Sequence, residues 1–255
     1  MIGVGISMAK RIRIKTGIDG VDELIEGGMP EYSQVLLAGG PGSGKTLMCF
    51  EYLYKSAHNG DTAILFSFEE DTKNIVANAK DAFTEFTDID ELIESKKLII
   101  YGSEMSRAYM SRGEEKPRFA FSEMLTQLES LVASSGALRI AIDSISVIKL
   151  FIRDAFEYRD LSVSLISMLK RLKVTSIITM EMATPEKSSL IFEPEFFIYD
   201  GLIVMYSTGG SESRTPAIEV IKMRGSAHSF ATVPYEITSG GINLLVLAGR
   251  SNRSR

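Results

Sequence analysis

The stretch Val35–Thr46 reads VLLAGGPGSGKT and decides the fold. Its first four residues, Val35–Ala38, form a short apolar run that predicts a buried strand. A helix is predicted to begin at about Lys45 and to run to His58, where Asn59-Gly60 stops it. A strand, a glycine-rich loop and a helix in this order are typical of a phosphate-binding loop.

The loop matches the Walker A pattern, with Gly39, four further residues and then Gly44-Lys45-Thr46. Its glycines allow the backbone N–H groups to face inward at a helix N-terminus, which favours bound anions. Lys45 is expected to reach the β- and γ-phosphates of a nucleotide, and Thr46 to offer its hydroxyl to Mg²⁺. ATP and Mg²⁺ are therefore the expected ligands. The residues expected to surround the phosphates are Gly40, Pro41, Gly42, Ser43, Gly44, Lys45, Thr46 and Leu47.

Two further predicted strands each end on a carboxylate. Arg139–Ser144 reads RIAIDS, so Asp143 ends a buried strand, where it can hold Mg²⁺ together with Thr46. Glu181 follows the predicted strand Ser176–Met180. Glu181 is a candidate to contact the γ-phosphate, and the alternative is that it anchors the loop that follows.

Glu69 and Glu70 end the predicted strand Ala63–Phe68. A carboxylate at this position can orient, or accept a proton from, the water that attacks a γ-phosphate. Because successive residues of a strand face opposite ways, only one of the two is expected to point at the nucleotide. The sequence leaves open which one it is, and Glu69 is the slightly favoured choice.

Lys222 and Arg224 lie two residues apart on a predicted strand, so both are expected to point to the same face. Gly225 and His228 follow them. Two cations so far in sequence from the phosphate loop could reach the phosphates held by a neighbouring subunit, as an arginine finger does. The alternative is that they are ordinary solvent-facing charges.

Strands and helices alternate along the first 180 residues. Apolar spacing predicts helices over Phe121–Val132 and Leu161–Leu172, and Asp71 is a predicted N-cap for a helix that runs to about Phe86. Strands that are apolar throughout indicate an α/β fold with a mainly parallel sheet, twisted and covered by helices on both faces. From Gly201 an antiparallel β extension is predicted. Its strands are Gly201–Tyr206, Ala217–Met223, Tyr235–Thr238 and Ile242–Leu247.

Composition indicates a globular protein. Hydrophobic residues make up 45% of the 255 residues, and no apolar run approaches the roughly 18 residues that a membrane span needs. The first 15 residues do not resemble an export signal, because their charges follow the apolar patch; Met1 and Met8 are both plausible starts. Cys49 is the single cysteine, so a reducing cytoplasm is the expected location and a buried core position is expected for its thiol.

The net charge of −5 is unevenly distributed. One α/β domain is expected over residues 15–248, between basic tails at residues 1–14 and 249–255. Seven cations lie in residues 1–15 and 249–255 without any acid, so the rest of the chain carries −12, which is −5 less those 7 charges. An acidic body repels phosphate backbones, so nucleic-acid binding would depend on the tails or on a local patch.

Seven segments of the chain resemble one domain of the KaiC family of ATPases, within the RecA superfamily. They are TGIDGVDELIEGGMP (Thr16–Pro30), GGPGSGKT (Gly39–Thr46), FSFEED (Phe66–Asp71), AIDSIS (Ala141–Ser146), TME (Thr179–Glu181), KMRGSAH (Lys222–His228) and GIN (Gly241–Asn243). The resemblance covers nearly everything from Lys15 to Leu247. It implies a RecA-like P-loop NTPase fold and a homo-hexameric ring with ATP at the subunit interfaces.

The same resemblance implies how the site is divided between subunits. One subunit would supply Lys45, Thr46 and Asp143, and the next would supply Lys222, Arg224 and His228. Two differences from the family matter. The circadian-clock ATPase that gives the family its name has two tandem domains, whereas one is expected here. The autophosphorylating domain of that ATPase also carries adjacent hydroxyl residues shortly before the position that aligns with Asp200. Here that stretch, Phe196–Tyr199, reads FFIY, so an ATPase without autokinase activity is expected.

Three functions compete at this stage. The first is an Mg²⁺-dependent ATPase whose oligomeric, nucleotide-dependent state regulates an unidentified protein partner. The second is a recombinase-like accessory protein that binds single-stranded DNA through the loop after Glu181. That loop reads MATPEKSSLIFEPEF and has Lys187 as its only cation, whereas a single-strand groove should be basic. The third, a small-molecule kinase, lacks a recognisable lid.

Overall fold

The structure is a computed structural model that describes residues 12–104, 117–152, 154–183, 187, 193–208 and 215–245. Most of the two predicted basic tails, residues 1–11 and 249–255, therefore lies outside the described residues. Arg13–Ile14, at the end of the predicted N-terminal tail, form a short strand β1 that pairs antiparallel with β2 (Met29–Pro30). Within the described ranges, no helix has the length and apolar character needed to cross a membrane.

The main sheet has nine strands among the described residues, in the order β11-β10-β9-β8-β3-β7-β6-β4-β5. The strands are β3 (Gln34–Gly39), β4 (Ala63–Ser67), β5 (Leu98–Tyr101), β6 (Arg139–Asp143), β7 (Thr175–Glu181), β8 (Gly201–Thr208), β9 (Thr215–Met223), β10 (Val233–Thr238) and β11 (Gly241–Leu244). Strands β8, β3, β7, β6, β4 and β5 are parallel, and β9 to β11 are antiparallel. The predicted α/β fold with a C-terminal antiparallel extension is confirmed.

Helices cover both faces of this sheet. They are α1 (Val21–Leu24), α2 (Lys45–His58), α3 (Thr72–Ala82), α4 (Ile89–Glu94), α5 (Pro117–Ser135), α6 (Ser146–Phe151) and α7 (Ala155–Arg171), with a 3₁₀ turn at Pro194–Phe197. Successive residues of β3 enter different cores: Val35 and Leu37 pack under α2, whereas Leu36 and Ala38 pack under α5 and α7. The buried thiol of Cys49 belongs to the first core, as expected.

One strand departs from the predicted arrangement. β8 was expected to open the antiparallel extension, but it pairs parallel with β3 and antiparallel only with β9. Asp200 explains this, because its N–H donates to the Gln34 carbonyl at 2.9 Å and its Oδ2 accepts the Gln34 N–H at 3.1 Å. The start of β8 is thereby held beside the start of β3.

The end of α3 also differs from the prediction. Asp71 caps its N-terminus as expected, since Oδ1 accepts the Asn74 N–H at 2.9 Å. The helix ends at Ala82 instead of about Phe86, because the Glu85 N–H donates to the Ser239 carbonyl at 3.1 Å. A contact with the distant turn between β10 and β11 thus replaces the last helical turn.

Candidate nucleotide-binding site

The loop after β3 lies at the carboxyl edge of the sheet, by which we mean the edge where the parallel strands end. Gly42 and Gly44 adopt positive φ angles of 72° and 85°, which favour glycine over residues with a Cβ. At Gly39 a Cβ would lie 2.8 Å from Ser43 Oγ and 2.9 Å from the Met205 carbonyl oxygen. The shape of the loop therefore requires glycine at positions 39, 42 and 44. The remaining loop residues, Gly40 and Pro41, connect β3 to this turn.

Lys45 and Thr46 begin α2 directly after the loop. The Lys45 side chain is buried, and its Nζ donates to the Gly40 carbonyl at 3.0 Å. Thr46 Oγ1 donates to Asp143 Oδ2 at 2.7 Å, and the other carboxylate oxygen of Asp143 accepts the Thr179 hydroxyl at 2.5 Å. The structure therefore brings Lys45, Thr46 and Asp143 together at one edge, and Thr179 fixes the orientation of the Asp143 carboxylate.

The two glutamates after β4 diverge. Ser144 Oγ donates to Glu69 Oε1 at 2.5 Å, whereas the Glu70 carboxylate accepts the Asn78 amide on α3 at 3.0 Å. Glu69 is exposed as a residue, but its carboxyl end turns towards the centre of the site. Burial of that end raises the pKa of Glu69. The nearby charges of Asp143 and Glu181 raise it further, while the Ser144 hydrogen bond and Lys45 oppose the shift.

Glu181 ends β7 beside the phosphate loop. Its position in the sheet pairs with Gly39, and its N–H donates to Ser146 Oγ at 2.8 Å. Its side chain is exposed, and its charge is close enough to contribute to the raised pKa of Glu69. Both interpretations of Glu181, a contact to phosphate or a loop anchor, remain predictions.

A cavity of about 440 Å³ opens between α2 and α3, next to Thr46. Leu47, Phe50, Ile75 and Ala79 supply apolar surface to its wall. Asn78 and Glu70 add polar groups. The cavity therefore continues the site away from the loop with a mainly apolar surface.

The antiparallel strands support the phosphate loop from the other side. Tyr235 on β10 is buried, and its hydroxyl donates to the Ser43 carbonyl at 2.5 Å. Ile237 packs so closely on Gly44 that a Cβ there would lie 2.8 Å from its Cδ1. On α2, Glu51 accepts the Ile242 N–H at 2.8 Å, and burial raises the pKa of this carboxyl to about 7. Strands β10 and β11 thus contact the loop and the helix that follows it.

Tyr235→Phe is expected to raise the dissociation constant for ATP by about 3- to 10-fold, which corresponds to losing one hydrogen bond of about 1 kcal/mol. The carbonyl and N–H groups of one peptide unit point in opposite directions, so the bond to the Ser43 carbonyl also fixes the direction of the Gly44 N–H. Tyr52→Phe is the matched control, because this buried hydroxyl donates to the Thr175 carbonyl far from the loop. Equal dissociation constants for the two variants, measured by calorimetry, would contradict a role for Tyr235 in shaping the loop.

Lys222 and Arg224 lie at the edge of the sheet where the parallel strands begin, opposite to the phosphate loop. Lys222 pairs with Leu202 near the start of β8, and β8 starts beside the start of β3. Lys222 Nζ donates to the Phe196 carbonyl at 3.0 Å, and Arg224 Nη2 donates to the Phe197 carbonyl at 2.7 Å. Both side chains thus reach the same turn, as expected for residues two apart.

The environment of this cation pair is partly buried. The pKa of Lys222 is lowered to about 8, chiefly by burial and then by the neighbouring charge of Arg224, against the opposing effect of Asp200. Asp200 Oδ1 lies 3.9 Å from Arg224 Nη1. His228 follows in the next turn, with its ring 4.8 Å from that of Phe230; within the described chain, both ring nitrogens are buried without a hydrogen-bond partner.

The structure adds three side chains that sequence reasoning did not assign to the site. Ser144 and Thr179 lie next to or inside segments already noted, so their hydroxyls could have been proposed from the sequence. Tyr235 offered no such signal, because its partner Ser43 is 192 residues away in the chain.

A central parallel sheet with a glycine-rich loop after β3 and carboxylates at the carboxyl ends of β4, β6 and β7 defines a RecA-like nucleotide-binding ATPase domain. The chain belongs to the KaiC family: the family model described as "ATPase: KaiC" matches residues 14–248. A KaiC-like protein of the hyperthermophilic archaeon Pyrococcus horikoshii OT3 has a similar solved structure, with a TM-score of 0.77 and 29% identity. That match covers 92% of this chain and 99% of the archaeal one.

Curated relatives are longer than the chain. Circadian clock oscillator protein KaiC 1 of Synechocystis sp. is 31% identical over 237 residues, which is 92% of this chain and 44% of the relative. Circadian clock oscillator protein KaiC of Picosynechococcus sp. is 30% identical and is covered to 45%. The chain therefore spans about half the length of the curated relatives that it matches.

Proposed function

We propose that the chain binds and hydrolyses ATP in an Mg²⁺-dependent reaction, at a site completed by a second copy of the chain. The observation that carries this proposal is the 2.7 Å hydrogen bond between Thr46 and Asp143, directly beside Lys45 on the glycine-rich loop. A hydroxyl and a carboxylate oxygen fit Mg²⁺, which prefers oxygen ligands and takes its remaining ones from phosphates and water. When bound, the metal neutralises phosphate charge.

The other residues of this edge receive roles that agree with their positions. Lys45 holds the β- and γ-phosphates, and the loop residues from Gly40 to Thr46 surround them. Glu69 orients the attacking water, because its carboxylate accepts the hydroxyl of Ser144, the residue after Asp143, while that of Glu70 accepts the Asn78 amide on α3. Glu181 contacts the γ-phosphate side of the site, next to Gly39. The apolar cavity beside Leu47 accepts the nucleoside part of the ligand.

Lys222, Arg224 and His228 act on the nucleotide of a neighbouring subunit. Within one chain, Lys222 and Arg224 lie where the parallel strands of the sheet begin, and the central strand β3 spans about 17 Å, so these two side chains do not reach the phosphate loop of their own chain. This distance supports a shared site, and by family resemblance the assembly is a homo-hexamer with nucleotide at each interface. The domain that carries this site extends over residues 15–248. Its oligomeric, nucleotide-dependent state regulates a protein partner.

Autokinase activity is not part of this proposal. The stretch Phe196–Tyr199 carries one hydroxyl, that of Tyr199, and this residue is fully buried in the core. A buried phenol offers no accessible acceptor for a phosphoryl group. ATP hydrolysis without self-phosphorylation is therefore the proposed chemistry.

Single-stranded DNA binding is the weaker alternative. Its candidate loop has Lys187 as the only cation, and Lys187 Nζ lies 2.8 Å from the Glu219 carboxylate and 2.6 Å from the Thr232 hydroxyl. A cation already paired with a carboxylate contributes little to a single-strand groove. Phosphate release measured with and without single-stranded DNA separates the two functions, and a strong stimulation by DNA would favour the alternative.

Lys45→Ala is expected to lower ATP affinity by about 100-fold, since charge-assisted hydrogen bonds to phosphate contribute roughly 1.5–3 kcal/mol each. The matched control is Lys55→Ala, ten residues further along α2 and therefore about 15 Å away. Calorimetric titration with ATP and Mg²⁺ measures both variants. Unchanged affinity in Lys45→Ala would refute the assignment of the phosphate loop.

A further inference from the structure

The cation pair Lys222–Arg224 is held by a single short element. The 3₁₀ turn at Pro194–Phe197 presents two consecutive main-chain carbonyls, and each accepts a hydrogen bond from one of the two cations. Main-chain carbonyls cannot move independently of the backbone that carries them. The position of this turn therefore sets the position of both cationic groups.

Two side chains from neighbouring helices hold the turn in place, one through an ion pair and the other through a hydrogen bond. Glu193, the residue directly before it, forms an ion pair with Lys149 on α6. Arg159 on α7 donates to the Pro194 carbonyl at 2.8 Å. Lys149 is further placed by the ring of Tyr158, whose centroid lies 5.1 Å from Nζ. The side chains of Lys149 and Glu193 are each about one-third exposed, so substituting either of them does not leave a cavity in the core.

We propose that the Lys149–Glu193 ion pair positions the Lys222–Arg224 pair that one subunit presents to the next, so that its loss impairs the neighbour's site. This inference rests on the shared site proposed above. It makes Lys149 and Glu193 positioning residues, because they act through the turn and the cations and do not touch the nucleotide themselves.

The position of Lys149 in the chain favours a different expectation, namely that its loss impairs the nucleotide site of the same subunit. α6 begins three residues after Asp143, and its Ser146 hydroxyl accepts the N–H of Glu181. From these positions alone, the effect of substituting Lys149 would be assigned to the phosphate loop of the same subunit. The two alternatives differ in which subunit's nucleotide is affected, and subunit mixing separates them.

The first experiment measures ATP binding and turnover of Glu193→Gln and Lys149→Gln. We expect turnover to fall by about tenfold, since small misplacements of catalytic groups reduce rates by such factors, while ATP affinity stays unchanged. Lys149→Arg keeps the charge and is expected to restore turnover. The matched control is Asp90→Asn, which breaks the exposed Lys80–Asp90 ion pair on the other face of the sheet. Lowered ATP affinity, or an equal loss of turnover in Asp90→Asn, would overturn the inference.

The decisive experiment mixes Glu193→Gln with two other variants. Lys45→Ala subunits have intact cations and a defective phosphate loop, so this mixture should recover activity at interfaces that combine the loop of one with the cations of the other. Arg224→Ala subunits supply no functional cation pair, so a mixture with them should not rise above the residual activity of Glu193→Gln. Recovery with Arg224→Ala and none with Lys45→Ala would place the defect in the subunit's own site and overturn the inference.

A mixture of Arg224→Ala with Lys45→Ala distinguishes this failure from failure of the proposed function. If that mixture recovers activity, the shared site stands, and the Glu193→Gln mixtures decide the inference alone. If it does not recover under conditions in which labelled subunits exchange, the shared site is wrong and the inference falls with it.

Discussion

Arg224→Ala is expected to lower turnover by about 10³-fold or more while ATP still binds to the phosphate loop, because a cation supplied in trans stabilises charge that develops only during the reaction. In the structure the Arg224 guanidinium contacts the Phe197 carbonyl and lies far from Lys45 of its own chain. Arg171→Ala is the matched control, since this exposed arginine on α7 pairs only with Glu129 among the contacts described.

Two measurements test the trans role of Arg224. Specific activity of the wild-type chain should rise with protein concentration, because no single subunit contains a complete site. Mixing Arg224→Ala with Lys45→Ala should restore activity, since Arg224 of one subunit can then face Lys45 of the other. Full activity of a chain that light scattering shows to be monomeric with ATP would contradict the shared site.

Glu69→Gln is expected to lower turnover by about 10²-fold or more, the range typical of a residue that accepts or directs a proton, with little change in ATP affinity. Glu70→Gln is the matched control, because its carboxylate bonds to Asn78 and not to Ser144. The rates of phosphate release under saturating ATP compare the two. A slower Glu70→Gln variant would reverse the assignment, and two unaffected variants would exclude both carboxylates.

The raised pKa of Glu69 adds a pH dependence to this prediction. Only the ionised carboxylate can accept a proton, so activity is lost as pH falls through the pKa of Glu69. Because that pKa lies above the ordinary value for glutamate, the loss should begin at a higher pH than an unperturbed carboxyl would give. Glu69→Gln should remove this acidic limb of the pH profile and leave a low, flatter rate.

Local patterns were sufficient to predict much of the fold. The order of strand, glycine loop and helix at Val35–Thr46 depends on neighbouring residues only, and the Asp71 cap depends on an amide three residues away. The end of α3 depended instead on Ser239, more than 150 residues away, and the pairing of β8 depended on contacts between Asp200 and Gln34. No local pattern contains such partners.

The candidate site likewise has features that local sequence predicts and features that depend on distant partners. Its charged residues were predicted because strand ends and the glycine-rich loop have recognisable sequences. Opposite directions for Glu69 and Glu70 were predicted from strand alternation, but the choice between the two was left open, because it depends on Ser144 and Asn78 as partners. The bonds from Lys222 and Arg224 to the turn at Pro194–Phe197 were also missed, since main-chain carbonyls leave no trace in residue identity.

The separation of Lys45 and Arg224 by about the length of β3 leaves each subunit with the two halves of a shared site at opposite edges of its sheet. Contacts that join the phosphate loop of each subunit to the cations of the next subunit in one direction are heterologous, head-to-tail contacts, and these form either an open chain or a closed ring. An open chain of such contacts leaves one incomplete site at its end, and a closed ring leaves none. Each Arg224→Ala subunit built into a closed ring of wild-type subunits therefore silences one site, and the silenced site belongs to its neighbour.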